Sequence, residues 1–101
     1  MSLETVKTDI QNRLKFAPPL GYVVELDFGD EGHLFLDGHQ SSTQVMDSLD
    51  QTVDTTLTLS LEKMQAILDG SLDPNMAVLL GQMKVSGKMG VALKLSGFLE
   101  Q

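Results

Sequence analysis

The sequence has 101 residues, of which 42% are apolar and 21% charged, and this size and composition predict one folded domain over residues 1–101. Its formal net charge of -7 and the lack of a basic stripe argue against binding to nucleic acid. It contains no cysteine, which excludes disulfides, thiolate metal sites and cysteine nucleophiles and favours a reducing cytoplasm as its location.

The first predicted element is a helix over residues 3–16. Its apolar stripe recurs at spacings of three and four residues, at Leu3, Val6, Ile10 and Leu14. Ser2 precedes the stripe as a candidate N-cap. The helix is expected to end before the Pro18-Pro19 pair, because a residue that precedes proline avoids the α region.

Within residues 21–59, apolar residues recur at every second position in several segments, and this alternation predicts half-buried strands. The first strand places alternate apolar side chains on one face, at Tyr22, Val24, Leu26 and Phe28. "GDEG" at residues 29–32 predicts a hairpin turn, and Leu34 and Leu36 lie on the return strand. Residues 44–46 are a candidate third strand, and alternation resumes over residues 53–59 at Val53, Thr55, Leu57 and Leu59.

The second half of the chain contains three predicted helices and one more strand. Gly70 ends the first of these helices, which Ser60 caps and whose buried stripe is Leu61, Met64, Ile67 and Leu68. Asp73-Pro74 begins a short helix that runs to about Leu80. Residues 82–86 form a strand and residues 88–99 a helix, with a shared face at Met89, Ala92, Leu93, Ser96 and Leu99.

This order of elements predicts an α+β fold, in which helices cover one face of a mostly antiparallel sheet. The last strand follows a helical crossover, which is compatible with a parallel pairing to a neighbouring strand. Gly90 and Gly97 weaken the last helix, which is therefore either held by packing or mobile. The sequence contains no run of eighteen apolar residues, so no membrane-spanning segment is expected.

The segment "GQMKVSGKMG", residues 81–90, partly matches a phosphate-binding loop. Such a loop needs four residues between its glycines and a serine or threonine after its lysine. Here five residues separate Gly81 from Gly87, and Met89 follows Lys88. We therefore expect no nucleotide site and interpret the glycines as boundaries between a helix, a strand and the last helix.

The two histidines, His33 and His39, share strand parity with Asp37, which would suit a metal site. Gly38 breaks the strand between them and no fourth ligand is evident, so we interpret both as exposed residues and predict no metal. No serine has the context of a nucleophile elbow, and the hairpin carboxylates lie on a solvent face. The sequence therefore predicts a protein that is not an enzyme.

The methionines and the charges are unevenly distributed. Four of the six methionines lie at positions 64, 76, 83 and 89, which indicates either a methionine-rich core or an adaptable apolar cavity for a lipid chain. Residues 21–54 carry eight acidic residues and no lysine or arginine, whereas residues 81–101 have a net charge of +2. This asymmetry indicates either a solvated acidic edge or a C-terminal part that faces an anionic group such as a lipid headgroup.

A longer pattern covers the stretch "LEKMQAILDGSLDPNMAVLLGQMKVSGKMGVALKLSGFL", residues 61–99. It combines the helix-ending Gly70, the Asp73-Pro74 restart, residues 77–81, the alternating residues 83–85, Gly87 and the "ALKL" helix at residues 92–95. In these features, and in the strand "VDTTLTLS" at residues 53–60, the chain resembles the sterol carrier protein-2 family. The resemblance covers nearly the whole chain and is most specific over residues 54–95.

The resemblance implies a five-stranded, mostly antiparallel sheet with helices on one side and an apolar tunnel between the two layers. It implies a lipid-binding lining at Leu26, Phe28, Leu34, Leu36, Met64, Leu68, Met76, Ala77, Leu80, Met83, Val85, Met89, Ala92 and Leu93. Lys84 and Lys88 are expected at the tunnel mouth, where together with Lys94 they could meet a carboxylate or a phosphate. A solvated face is the alternative interpretation of these lysines.

The resemblance also implies a function, which is non-enzymatic binding and transfer of a sterol, fatty acid, fatty acyl or prenyl chain without a cofactor. The alternative is an accessory module that presents a lipid, such as a polyprenyl quinone precursor, to a partner enzyme. We therefore expect a lipid ligand, transient contact with a membrane or an enzyme, and a monomer or weak dimer. Lys88 replaces the asparagine or aspartate common in the family, and Leu93 replaces a polar residue of some members, which implies a drier pocket.

Overall fold

The computed structural model describes residues 2–39 and 41–99. In this part of the chain, α-helices span Leu3–Leu14 (α1), Leu61–Leu68 (α2), Pro74–Leu79 (α3) and Met89–Leu99 (α4). β-Strands span Val23–Asp27 (β1), His33–Asp37 (β2), Gln44–Met46 (β3), Thr55–Leu59 (β4) and Met83–Gly87 (β5). None of the described helices combines the length and the apolar character needed to cross a bilayer.

Polar side chains cap the helices as the sequence predicts. The capping side chains and the N–H groups from which they accept are Ser2 with Thr5 (3.2 Å), Ser60 with Lys63 (3.1 Å) and Asp73 with Asn75 (2.8 Å). Each bond satisfies an N–H group that has no partner inside the helix. Gly70 follows α2 with a φ of 85°. α1 ends at Leu14, two residues before the predicted end.

The five strands form one sheet in the order β3-β2-β1-β4-β5. Within the described residues, β1 and β4 are parallel neighbours and the other three pairings are antiparallel. The suggested parallel pairing of the last strand is wrong, because β5 runs antiparallel to β4 with Met83 opposite Leu59. The connection through α2 and α3 returns the chain to the end of the sheet where β4 finished. The parallel crossover lies earlier in the chain, between β1 and β4.

The sheet has one buried face and one open face, because apolar and polar residues alternate along the strands. The buried face carries Val24, Leu26, Leu34, Leu36, Val45, Leu57, Leu59 and Met83. These residues form one apolar cluster with buried side chains of α1, α2 and α4, such as Ile10, Met64 and Leu95. The open face carries Glu25, Asp27, His33, Thr56, Thr58 and Lys84. The predicted α+β fold, with helices on one face of the sheet, is confirmed.

The buried face of α4 is rotated from the predicted one, with which it shares Ala92 and Leu99. Its buried residues are Val91, Ala92, Leu95 and Leu99, whereas Met89 is 46% exposed and Leu93 is 51% exposed. Residues two positions apart on an α-helix are rotated by about 200°, so Leu93 lies nearly opposite Val91 and Leu95. Both faces of α4 are apolar in sequence, and packing against α1 and β4 selects the face with Val91.

The start of α4 is held close to β4. Gly87 has a φ of 103°, and a Cβ atom at this position would collide with the carbonyl oxygen of Asp54, so glycine is required here. The hydroxyl of the buried Thr55 then accepts from the backbone N–H of Lys88 and donates to the Lys88 carbonyl, both at 3.1 Å. The direction in which the chain enters α4 is therefore fixed by β4.

Arg13 of α1 joins the C-terminal ends of two other helices. Its Nη1 donates to the Leu99 carbonyl at 2.6 Å, and its Nη2 donates to the Leu68 carbonyl at 2.5 Å. These residues are the last of α4 and α2, where carbonyl groups have no partner inside the helix. The guanidinium satisfies both carbonyls, and its positive charge complements the negative ends of the two helix dipoles.

We expect the Arg13→Met substitution to lower the free energy of unfolding by about 2–4 kcal/mol, because it removes the hydrogen bonds to the two helix-end carbonyls and the ion pair with Asp9. Urea unfolding followed by circular dichroism measures this difference. Arg13→Lys retains the charge but not the forked donor, so its free energy of unfolding should lie between those of the wild type and Arg13→Met.

Lys15→Met is the matched control, because Lys15 is an exposed residue that follows α1. Its effect should be less than about 0.5 kcal/mol. If Arg13→Met changed the free energy of unfolding by as little as this control, the contacts of Arg13 would not stabilise the helix layer.

Candidate functional site

The structure divides the predicted lipid-binding residues into a buried group and an exposed group. The buried group belongs to the apolar cluster between the sheet and the helices, and its members are Leu26, Phe28, Leu34, Leu36, Met64, Leu68, Ala77, Met83 and Ala92. Each of these residues is at most 5% exposed. They are brought together in space, and in this structure they fill the layer with side chains.

The exposed group lies along the sheet edge formed by β5. Met76 and Leu80 belong to α3 and its C-cap, and Met89 and Leu93 belong to α4, and both of these helices contact β5. Their exposed fractions are 49%, 61%, 46% and 51%. Val85 lies on β5 itself, half-buried against the apolar cluster. With Leu79, these residues form what we call the β5-edge apolar surface: Met76, Leu79, Leu80, Val85, Met89 and Leu93.

Leu79, which is 78% exposed, is a residue of this surface that the sequence analysis did not name. It belongs to an apolar run, "AVLL" at residues 77–80, in a helix of only six residues. An amphipathic helix of this length needs only one or two apolar residues for its buried side. The additional apolar residues in this run are the sequence feature that could have indicated an exposed apolar side chain.

The exposed apolar side chains of this surface belong to α3, its C-cap and α4 rather than to β5. β5 is one of the two edge strands, and among its five residues Met83 is buried, Val85 is half-buried and the others are exposed. α3 contacts β5, and its C-terminal end is bonded to the start of the strand by the Gln82 N–H, which donates to the Ala77 carbonyl at 2.8 Å. An exposed apolar patch of this kind marks a binding surface for an apolar ligand or a partner.

The loop that leads into α3 is held by an aspartate. Asp69 accepts from the Ser71 hydroxyl at 2.6 Å and from the Ser71 N–H at 2.9 Å. These bonds favour the carboxylate and lower the pKa of Asp69 below its ordinary value. They shape the turn between α2 and the helix that carries Met76 and Leu79.

The structure separates the two lysines that the resemblance places at a tunnel mouth. Lys84 lies opposite Thr58 and is exposed on the open face of the sheet. Lys88 precedes α4, and its Nζ lies 5.2 Å from the centre of the Tyr22 ring. Lys94 Nζ approaches the same ring at 5.9 Å. Lys88 and Lys94 therefore both approach Tyr22, a neighbour that the sequence did not indicate.

His33 and His39 do not converge with Asp37 as one cluster. His33 Nδ1 lies 2.8 Å from Glu25 Oε2 and 3.6 Å from Asp27 Oδ1 across the β1–β2 pair, with the three ligand-type atoms within 4.8 Å of one another. The Asp37 carboxylate instead accepts from the backbone N–H of His39 at 3.0 Å. We assign the Glu25–His33 contact to cross-strand hydrogen bonding on the open face.

A second surface lies at the other end of α4. A cavity of about 560 Å³ is lined by Asp9, Asn12, Arg13, Phe16, Ala17, Pro18 and Phe98. Phe16 is 87% exposed, but the walls also carry the Asp9–Arg13 ion pair, with 2.7 Å between the nitrogen and oxygen atoms. Removing these charges from water opposes the binding of an acyl chain. The β5-edge apolar surface is the stronger candidate for a lipid site, because the one charged residue of β5, Lys84, lies on the open face of the sheet.

Comparison with known proteins identifies relatives of this chain. A model of the SCP-2 sterol transfer family matches residues 3–100. Sterol carrier protein 2 of Bos taurus is 30% identical over 67 residues, which are 66% of this chain. The aligned segment spans only 12% of the length of that relative.

Solved structures share the whole fold. Sterol carrier protein 2 like 2 from Aedes aegypti has a TM-score of 0.80 and 28% identity, with 96% of this chain and 95% of that chain covered. Sterol carrier protein 2 from Aedes aegypti, in complex with the C16 fatty acid palmitate, has a TM-score of 0.75 and 25% identity, with 98% and 96% covered. The ubiquinone synthesis protein UbiJ-SCP2 has a TM-score of 0.72 and 15% identity, with 96% and 87% covered, and shares the fold alone.

Proposed function

The chain belongs to the SCP-2 sterol transfer family, and we propose that it binds a lipid and transfers it without catalysing a reaction. The apolar body of the lipid would lie on the β5-edge apolar surface and against the core behind it. The observation that carries this proposal is the group of five large apolar side chains exposed along one sheet edge. A similar protein holds a C16 fatty acid, so a long acyl chain is the ligand class to test first.

The driving force for binding is the removal of apolar surface from water. Each buried methylene contributes about 0.8 kcal/mol, so a long acyl chain gains on the order of 10 kcal/mol before ordering costs. The exposed residues of the surface, from Met89 at 46% to Leu79 at 78%, lose contact with water at the same time. This contribution to the binding free energy depends on the apolar area that is buried rather than on one hydrogen bond, which suits a carrier of several lipids.

Deeper binding requires a helix to move away from β5. Met64 and Met83 lie behind the surface and are 2% and 4% exposed. Their unbranched side chains adapt to a cavity whose shape changes. We propose α4 as the element that moves, because Gly90 and Gly97 weaken it and a Cβ atom at either position would meet nothing within 4 Å.

A module that presents a lipid to a partner enzyme is the second candidate function. Leu79 and Leu80 favour it, because side chains that are 78% and 61% exposed also suit a protein contact. A carrier binds lipid alone, whereas a presenting module needs its partner for tight binding. The monomer or weak dimer, the transient membrane contact and the cytoplasmic location remain predictions of the sequence.

We expect the purified protein to take up a fluorescent fatty acid and to release co-purified lipid into organic solvent for mass spectrometry. The Leu93→Asp substitution should weaken fatty-acid binding by about tenfold or more, because it puts a charge where the acyl chain loses water. Fluorescence titration gives both dissociation constants.

Phe16→Asp is the matched control for this substitution. Phe16 is also a large exposed apolar residue, but it lies at the cavity beyond the other end of α4. Its fatty-acid affinity should equal that of the wild type. Loss of binding in Phe16→Asp but not in Leu93→Asp would show that the lipid binds at that cavity instead. A wild-type protein that takes up no lipid would contradict the carrier function.

The role of α4 predicts a kinetic effect of its glycines. Replacing both Gly90 and Gly97 by alanine should raise the free energy of unfolding by about 1–2 kcal/mol, because each alanine favours the helix and has open space. The stiffened helix should slow fatty-acid release in stopped-flow displacement. Increased stability with an unchanged release rate would show that α4 does not gate the site.

A further inference from the structure

Both helices of the β5-edge apolar surface carry an exposed methionine. Met76 of α3 is 49% exposed and Met89 of α4 is 46% exposed. The other methionines that the structure describes are better covered, since Met64 and Met83 are 2% and 4% exposed and Met46 on β3 is half-buried. In the folded, lipid-free protein, an oxidant dissolved in water therefore reaches Met76 and Met89 first.

Helical spacing places each of these two methionines on the same face as an exposed leucine. Met76 and Leu79 are three residues apart in α3, and Met89 and Leu93 are four residues apart in α4. Residues at these spacings share one face of an α-helix. Both leucines are exposed. The two thioethers therefore lie on the helix faces that the proposed function assigns to the lipid chain.

Methionine supplies all of the sulfur in this chain, which has six methionines and no cysteine. With hydrogen peroxide, the thioether sulfur donates an electron pair to one peroxide oxygen, the O–O bond breaks, and a sulfoxide and water form. The sulfur loses two electrons and the peroxide gains them. A methionine sulfoxide reductase supplied with two thiols reverses the step, because the sulfoxide oxygen leaves as water and the thiols form a disulfide. Oxidation thus converts an apolar side chain reversibly into a polar one.

The sulfoxide has different consequences in the lipid-free and the lipid-loaded protein. At a half-exposed position of the lipid-free protein its oxygen stays hydrated, so the fold is retained. Under a bound acyl chain the same oxygen loses its water, and a neighbouring leucine side chain offers no hydrogen-bond donor. We propose that oxidation of Met76 and Met89 by a peroxide reversibly switches off lipid binding, and that a bound lipid protects both residues. This inference rests on the proposed lipid-binding function.

Graded treatment of the full chain with hydrogen peroxide, stopped with catalase, tests the order of oxidation. Tandem mass spectrometry of the digested protein should detect sulfoxide at Met76 and Met89 before it appears at Met46, Met64 or Met83. Saturation with palmitate before treatment should slow oxidation of Met76 and Met89 and leave the rate at Met46 unchanged. Oxidation of Met76 and Met89 at the same rate with and without palmitate would overturn the proposed protection.

Titration with a fluorescent fatty acid then compares each protein with itself before and after peroxide. The wild type should bind about tenfold more weakly once Met76 and Met89 are oxidised, as expected when a polar group is buried without a partner. Treatment with methionine sulfoxide reductases for both epimers should restore the affinity. Circular dichroism and urea unfolding should show that the oxidised protein keeps its fold.

The double variant Met76→Leu and Met89→Leu lacks the two reactive sulfur atoms. Its affinity after peroxide should therefore equal its own affinity before treatment. Met46→Leu is the matched control, because Met46 lies opposite Phe35 on β3, at the other edge of the sheet. This control should lose affinity on oxidation by the same factor as the wild type.

Unchanged affinity of a wild type that carries sulfoxide at Met76 and Met89 would overturn the switch and leave the carrier function intact. An equal loss of affinity in the peroxide-treated double variant would also overturn it, because other residues would then be responsible. Unfolding of the oxidised wild type would overturn it as well. Failure of the untreated wild type to bind the fatty acid would instead contradict the proposed lipid-binding function on which the inference rests.

Discussion

The architecture depends on covering a sheet that is apolar on one face only. α1, α2 and α4 cover the central strands, and Arg13 of α1 holds the ends of α2 and α4 through the Leu68 and Leu99 carbonyls. β5, one of the two edge strands, contacts α3, which is six residues long, and α4. These two helices, with the C-cap of α3, expose apolar side chains of their own beside this edge. A lipid chain would complete the apolar layer there, which makes the proposed binding a consequence of the fold rather than an addition to it.

Hydrogen bonds at both ends of α4 position this helix in the layer beside the proposed site. The hydroxyl of Thr55 fixes the start of α4 at Lys88, and Arg13 holds its end at Leu99. Between these anchors, α4 buries one apolar face against the layer and exposes a second one, with Met89 and Leu93. Gly90 and Gly97 lower the intrinsic helix stability between these two anchors.

The sequence was sufficient for features that depend on local chemistry. The caps at Ser2, Ser60 and Asp73, the alternation of the strands and the one-sided sheet follow from hydrogen bonding and periodicity, and the structure confirms them. Non-local features were not accessible in this way. Both faces of α4 are apolar, so only packing against α1 and β4 could select the buried face. Likewise, the pairing of β5 and the approach of Lys94 to Tyr22 depend on where distant segments meet.

Photo-crosslinking reports where in the protein the lipid chain lies. The full chain is loaded with palmitate that carries a diazirine in its acyl chain, irradiated, digested and mapped by tandem mass spectrometry. We expect the labelled residues to lie in α3, β5 and the first half of α4, which together include Met76, Met83 and Leu93. Labels confined to Phe16 and Phe98, at the cavity beyond the other end of α4, would contradict it.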